Sequence, residues 1–390
     1  MPFDFDAVID RHNTASTKHD TVTANGYPED VIPMWVADMD FRVPECVTDA
    51  LQKVVDHGIF GYSFATEGYF NAVQNWFADR FDWQLEKDWI KFSPGVVFAL
   101  STAIRVMSEP GAAVLVQPPV YYPFYNVIAN NERVLVESPL IYENGSYRID
   151  FEDFEKKIVD QKVKLFILCS PHNPICRVWT VEELRKIGEI CRRHGVKVIS
   201  DEIHCDFTWP GVVHTPFVKA CPEMAEDTVI CTAPSKSFNL AGLETSNIII
   251  PGEALREKWQ KEMLRLNFHA PNSLGLRACQ AAYEGGAQWL DACKAYMYEN
   301  LQYVRRFLAE NLPQINLVEP EGTYFAWLDC SGLGMTKEQL DEMIIQKAKL
   351  WLDTGSLFGA CAEQFQRVVL ACPRSVVEKA MQQLRDALKP

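Results

Sequence analysis

The sequence predicts an α/β fold: a mostly parallel sheet wrapped by helices in a large domain, with a smaller α+β domain beside it. Three observations carry this expectation. Between Asp150 and Gly195 the chain reads helix, strand, helix, and apolar runs recur at 196–200, 228–233 and 246–250 with helical patterns between or after them. The runs Lys164-Leu-Phe-Ile-Leu-Cys169 and Thr228-Val-Ile-Cys-Thr-Ala233 are apolar almost throughout, the pattern of buried strands. Gly285-Gly286 then breaks the alternation, and a long helical stretch from Ala287 to about Leu312 restarts it. The expected boundary follows: residues 45–286 form the large domain, and 1–44 with 287–390 form the small one.

Residues 1 to about 44 contain two short punctuated runs and no long amphipathic helix. Asp38 and Asp40 alternate there with Met39 and Phe41, which suits a strand end, a loop over a site, or carboxylates capping a helix. Pro44 to Gly58 has helical spacing and leads into Phe60-Gly61-Tyr62. Ser93-Pro94-Gly95-Val96-Val97 precedes an apolar-periodic helix to about Met107. A glycine turn entering a helix leaves N–H groups free at the positive end, where a phosphate can sit, although one glycine describes an ordinary loop as readily. Ala112 to Gln117 reads as a strand, followed by Pro118-Pro119-Val120-Tyr121-Tyr122. Thr180 with Glu183 makes a capping box for a helix that ends near Gly195. In the last part, strand-like Thr323–Leu328 and Phe365–Ala371 flank a helix over 336–349, and Arg367 lies in the second of these strands.

Composition bounds the function. The 390 residues are 48% hydrophobic, ample for a large core, and the net charge of −14 argues against nucleic acid as a direct partner. No apolar run approaches the ~20 residues needed to span a bilayer. The opening residues lack a basic stretch followed by an apolar one, so the expected location is the cytoplasm. The 12 cysteines include no CxxC pair and no cluster with histidine at ligand spacing, so they read as reduced, packed thiols rather than disulfides or a metal site.

The chemistry gathers at three strand ends. Lys164–Cys169 runs into Ser170-Pro171-His172-Asn173-Pro174, Val196–Ser200 into Asp201-Glu202-Ile203-His204, and Thr228–Ala233 into Pro234-Ser235-Lys236. In an open parallel sheet the carboxyl edge of the strands is where ligands bind. A lysine delivered there, flanked by hydroxyls and desolvated, is a candidate Schiff-base nucleophile, because burial lowers the amine's pKa and the free amine attacks a carbonyl. The trio suits pyridoxal 5′-phosphate: Lys236 bonds the carbonyl carbon, Asp201 keeps the pyridine nitrogen protonated, and Asn173 donates to the phenolate oxygen.

The order Asn173-Pro174, Asp201, Ser235-Lys236 resembles the fold-type I pyridoxal-phosphate enzymes of the class I/II aminotransferase superfamily. Pro33-Met-Trp-Val-Ala-Asp-Met-Asp-Phe41, Asp201-Glu-Ile-His204, Ser235-Lys-Ser-Phe-Asn-Leu-Ala-Gly-Leu243 and Cys372-Pro-Arg374 resemble its bacterial cystathionine β-lyase/C–S lyase branch, and the likeness runs from about residue 10 to the C-terminus. The resemblance implies a seven-stranded, mostly parallel sheet in the large domain. It implies that Tyr121 stacks on the pyridine ring, that Val96 and Val97 at the helix entry and Ser235 meet the phosphate, and that Arg367 binds the α-carboxylate of an amino acid substrate. Tyr62 is implied to reach the neighbouring subunit's phosphate, making a homodimer with its active site at the interface. His204 stands where aminotransferases often have a tyrosine near the ring oxygen, and is either a ring contact or a packed histidine. Arg374 is a structural arginine on this reading.

Two positions depart from the superfamily's pattern. The residue two after Asn173-Pro174 is commonly glycine and here is Cys176. If the backbone there takes a positive φ, a cysteine costs ~1 kcal/mol. Many aminotransferases carry a phosphate-binding arginine eight residues after the lysine, and here that residue is Glu244. Its absence agrees with the lyase branch. The activity implied is a C–S β-lyase acting on cystathionine or related S-substituted cysteines. The alternatives are an aminotransferase, whose early steps use the same residues, and a transcription-regulating binding protein with residual lyase activity.

Overall fold

Seven strands form the central sheet of a computed structural model that describes residues 3–389. In chain order they are β1 (Ile90–Ser93), β2 (Ala113–Val116), β3 (Val134–Glu137), β4 (Leu165–Cys169), β5 (Lys197–Asp201), β6 (Thr228–Thr232) and β7 (Ser246–Ile249). Across the sheet the order is β1-β7-β6-β5-β4-β2-β3. Only β7 runs against its neighbours, antiparallel to both β6 and β1; the other pairs are parallel. The reason lies in the connection. A parallel return needs a crossover of a dozen or more residues, usually a helix. The 13 residues between β6 and β7 hold only the short turns Pro234–Ser237 and Ala241–Leu243 and no helix long enough to cross the sheet, so the chain folds back beside β6.

The strands at the centre of the sheet are covered on both faces, and every residue of β4, β6 and β7 is buried. Helices Val96–Met107, Pro123–Asn130 and Glu253–Arg265 pack on one face, around Ile104, Ile128 and Trp259. Helices Phe151–Asp160, Val181–His194 and Ser273–Gly285 pack into the other core, through Phe154, Ile187 and Leu276. Local chemistry sets their ends: Thr180 and Glu183 exchange both capping-box bonds, and Gly195 closes the same helix with φ +64°. Burial, worth roughly 25 cal/mol per Å² of apolar surface, is the main force holding the layers together.

A second sheet of four strands follows the 25-residue helix Ala287–Asn311, in the order Asn316–Leu317, Phe325–Asp329, Phe365–Val369, Asp353–Thr354. The helix expected over 336–349 is shorter, Lys337–Glu342, and continues as a π-helical turn to Lys347. The N-terminal residues join the C-terminal part of the chain: Ile32–Pro33 pairs with Leu350–Trp351, and Asp40 N donates to Ala371 O (2.9 Å). Met1, Pro2 and Pro390, the outermost residues of the expected small domain, lie outside the described residues.

Candidate active site at the carboxyl edge of the sheet

Strand register brings the predicted residues together. Cys169 of β4 lies opposite Asp201 of β5, and Asp201 opposite Cys231 of β6, so three adjacent strands end level with one another. These strand ends and the loops that leave them carry Asn173, Asp201 with His204, and Ser235 with Lys236 into one cavity of about 480 Å³. Tyr121, Val96 and Val97 line the same cavity. Eight of the ten residues singled out in the sequence therefore share one pocket. The other two, Arg367 and Tyr62, do not line it.

Lys236 sits in the short helical turn after β6, and its Nζ donates to Ala37 O (2.7 Å). Burial, with the nearby Arg367 charge, lowers its pKa to about 8. Asp201 is 3% exposed and accepts one hydrogen bond, from Ile203 N (3.2 Å); among the described residues no cation reaches it within salt-bridge distance. Burial raises its carboxyl to about 7. His204 is buried against Tyr324 and Phe325, with ring centroids 5.5 and 5.3 Å away, and still lines the cavity. Burial and the positive charges of Lys236 and Arg367 hold it neutral, and its Nδ1 is buried without a partner. It is thus a packed histidine that also faces the pocket.

At the other end of the cavity, helix Val96–Met107 begins at Gly95, and Ala99 is the first residue to donate back, to Gly95 O (3.0 Å). The N–H groups of the first turn have no intrahelical acceptor. No atom lies within 4 Å of where a Cβ on Gly95 would sit, so the helix entry is open. Glu244, in a left-handed conformation (φ +45°), also lines the pocket, opposing by its charge any anion held there. These features test the fit of pyridoxal phosphate. A buried carboxylate without a cation suits a protonated ring nitrogen, a depressed lysine suits a carbonyl carbon, and an open helix N-terminus suits a phosphate. The residues fit the group.

Arg367 lies just behind the cavity. Its Nη1 donates to Asn173 Oδ1 (2.8 Å), and its Nη2 donates to Trp35 O (2.8 Å) and pairs with Asp353. The guanidinium packs over Phe325, 4.4 Å from the ring centroid. Arg367 thereby touches the site through Asn173, with its forward nitrogens already engaged. Asp353 and the main chain of Trp35 went unnoticed in the sequence. Asp353 sits in a two-residue strand with no periodicity to read, and Trp35 contributes only its carbonyl. Ala37 and Ile203, inside the sequence motifs but given no role there, and Cys169 and Thr245 also line the cavity.

Tyr62 is fully exposed, in a segment without regular structure, and lines a different cleft of about 690 Å³ with Lys53, His57 and Arg277. A single chain does not bring it to Lys236. Arg374 Nε donates to Asn300 Oδ1 (2.7 Å), a bracing contact that accords with its structural reading. Cys176 adopts φ +62°, so the left-handed conformation is kept with a cysteine in place of glycine. Its thiol is buried beside Thr323 Oγ1 (3.3 Å), and its carbonyl accepts from Glu321 and Gly322 N–H.

Known proteins share this architecture. The family model for aminotransferase class I and II matches residues 29–384. The chain is 42% identical to "Cystathionine beta-lyase PatB" of Bacillus subtilis, over 98% of this chain and 99% of that protein. It is 33% identical to "Protein MalY" of Escherichia coli, over 99% of each. Among solved structures, cystalysin from Treponema denticola, which contains a pyridoxal 5′-phosphate cofactor, superposes with a TM-score of 0.96 at 38% identity, covering 100% of this chain and 99% of that one. The pyridoxal-phosphate-bound C–S lyase from Staphylococcus hominis superposes with a TM-score of 0.93 at 35% identity, covering 100% of this chain and 98% of that one.

Proposed function

Because the chain belongs to the aminotransferase class I and II family, we propose that it is a pyridoxal 5′-phosphate-dependent C–S β-lyase that cleaves L-cystathionine or related S-substituted cysteines to a thiol, pyruvate and ammonia. The observation that carries this reading is the single cavity holding a depressed lysine and a buried carboxylate without a cation, in a chain 42% identical to a cystathionine β-lyase. Bound there, pyridoxal phosphate supplies an electron sink for negative charge developing at the substrate's Cα.

The chain's own residues do the rest. Lys236 Nζ, its pKa near 8, is free often enough at neutral pH to bond a carbonyl carbon, and once displaced it takes the Cα proton as general base. Asp201 holds a proton on the ring nitrogen, which restores its own charge against burial. Asn173, whose Oδ1 is engaged by Arg367, would have its Nδ2 left to donate to the ring oxygen. Tyr121 offers a flat, rigid face to the ring. The N–H groups at Val96 and Val97, the hydroxyl of Ser235 and Tyr62 of a second subunit would hold the phosphate, and His204, neutral in its buried place, would lie beside the ring. Arg367 binds the α-carboxylate. With the Cα proton on Lys236, the Cα electron pair would form a Cα–Cβ double bond as the Cβ–S bond breaks with its pair on sulfur, and Lys236 would hand its proton to the sulfur so that a thiol leaves. Water then converts the remaining three-carbon enamine to pyruvate and ammonia.

The large domain of this reading spans 45–286, and 1–44 with 287–390 form the small one. The protein works as a homodimer in the cytoplasm. The described cysteines are free thiols, and no helix among the described residues is long and apolar enough to cross a membrane. Purified holoenzyme incubated with L-cystathionine and no keto acid should release pyruvate, and Lys236→Ala should abolish that release. Turnover only after a keto acid is added would instead make the protein an aminotransferase.

A further inference from the structure

We propose that Asp353 determines specificity by competing with the substrate's α-carboxylate for Arg367, keeping the site's hold on free carboxylates loose. The proposal rests on reading Arg367 as the carboxylate-binding residue.

Asp353 and Arg367 are cross-strand neighbours in the four-stranded sheet, and both side chains are 3% exposed. A guanidinium can grip a carboxylate with two parallel bonds along either of two edges, Nη1 with Nη2 or Nε with Nη2. Both edges require Nη2. Its two hydrogens are engaged, one by Trp35 O and one by Asp353 Oδ2. The remaining donors, the second hydrogen of Nη1 and the buried, unpartnered Nε–H, lie on opposite sides and cannot grip one carboxylate together. A carboxylate bound through two bonds must therefore displace either Trp35 or Asp353.

Trp35 O is main chain and is held firmly. The Trp35 ring stacks on Trp351 at 4.3 Å, and the flanking backbone is bonded through Met34 N to Trp351 O (2.8 Å) and Val369 N to Met34 O (2.9 Å). The rings of Phe325 and Phe358, with centroids 4.4 and 5.0 Å from its guanidinium carbon, hold the plane of Arg367 in place. Asp353, a side chain with no other hydrogen bond among the described residues, is the partner that yields. Its negative charge also balances Arg367 in a setting shielded from water, so an incoming anion meets a nearly neutral pair.

The test compares a carboxylate with its neutral twin. 3-(Methylthio)propanoate has the skeleton of an S-substituted cysteine without the amino group, so it binds but does not react; its amide lacks only the charge. Calorimetry on the unaltered holoenzyme should give an acid-over-amide preference below tenfold. In Asp353→Asn and Asp353→Ala the acid should bind tenfold or more tighter with the amide unchanged, and KM for S-methylcysteine should fall by more than kcat changes. Acid binding that stays the same or weakens in the folded variants, or an amide that tightens equally, overturns the proposal. If neither variant folds, a preference of tenfold or more in the unaltered enzyme overturns it, and a smaller one supports it. Arg367→Ala separates the two readings: loss of the remaining preference supports Arg367 as the carboxylate residue, whereas its survival removes that reading and the proposal with it.

Discussion

Asp201 and Lys236 face the same cavity, and burial works against the charge of each, raising the carboxyl to about 7 and lowering the amine to about 8. The two have opposite consequences for stability in the cofactor-free protein. A carboxyl whose folded pKa lies above its unfolded value binds its proton more tightly in the folded chain, so stability is lost as pH rises from about 4 to about 7. An amine whose folded pKa is lowered costs stability below about pH 8, and that cost fades as pH rises towards 10.5. Both costs are present near neutrality. Asp201→Asn should therefore stabilise the cofactor-free protein at pH 8 by on the order of 1–4 kcal/mol, with the gain shrinking towards pH 4. Urea titrations at several pH values would read this, and a pH-independent difference would count against burial as the cause. In the holoenzyme the same substitution should lower turnover by at least tenfold, since an amide cannot keep the ring nitrogen protonated.

The N-terminal segment illustrates what an element without regular structure contributes. Lys18, in the turn Thr17–Asp20, is 1% exposed and donates to Asp40 (2.8 Å), while Arg11 bridges Asp38 and Asp40 at 2.6 Å each. Burial alone would raise the Asp40 carboxyl, but Lys18, His19 and Arg11 together hold it well below the usual range. These pairs fix the stretch whose Ala37 carbonyl meets Lys236, and Asn239 holds the same stretch through Met39 and Phe41. Lys18→Met should cost about 3 kcal/mol of stability, because it removes one partner of a buried charge cluster. It should also raise KM, since Ala37 loses its anchor. An unchanged denaturation midpoint with unchanged KM would show that the cluster holds nothing. The sequence offered Asp38 and Asp40 with three open readings; their cationic partners, 20 to 29 residues away, leave no local pattern. The capping box at Thr180, by contrast, was legible because both of its bonds span three residues.

At the scale of the molecule, Ile59, Phe60, Tyr62 and Phe64 stand between 62% and 112% exposed within six residues. Large apolar side chains exposed together mark a surface that is covered in the working assembly. On the homodimer reading this face meets a second copy, and Tyr62 enters that copy's phosphate site. Sedimentation should give twice the chain mass, and Phe60→Asp combined with Phe64→Asp should shift the protein to monomer with loss of turnover. Tyr62→Phe should leave the dimer intact and weaken cofactor retention. A fully active monomer would remove the interface reading.

The central strands and the residues at their ends were legible because both are local. Four to six apolar residues in a row make a central strand, and the polar loop that follows must carry whatever the strand delivers, hence Asn173, Asp201 and Lys236. The edge strands β1 and β3 were missed, being only partly covered and so not uniformly apolar. Everything that depended on residues distant in sequence was decided by the tertiary structure alone. The buried pairing of Arg367 with Asp353, the packing of Cys176 against Thr323 and the exposure of Tyr62 are such cases. Periodicity and caps are set by neighbours along the chain, whereas the partner of a buried charge is set by which strands happen to lie side by side.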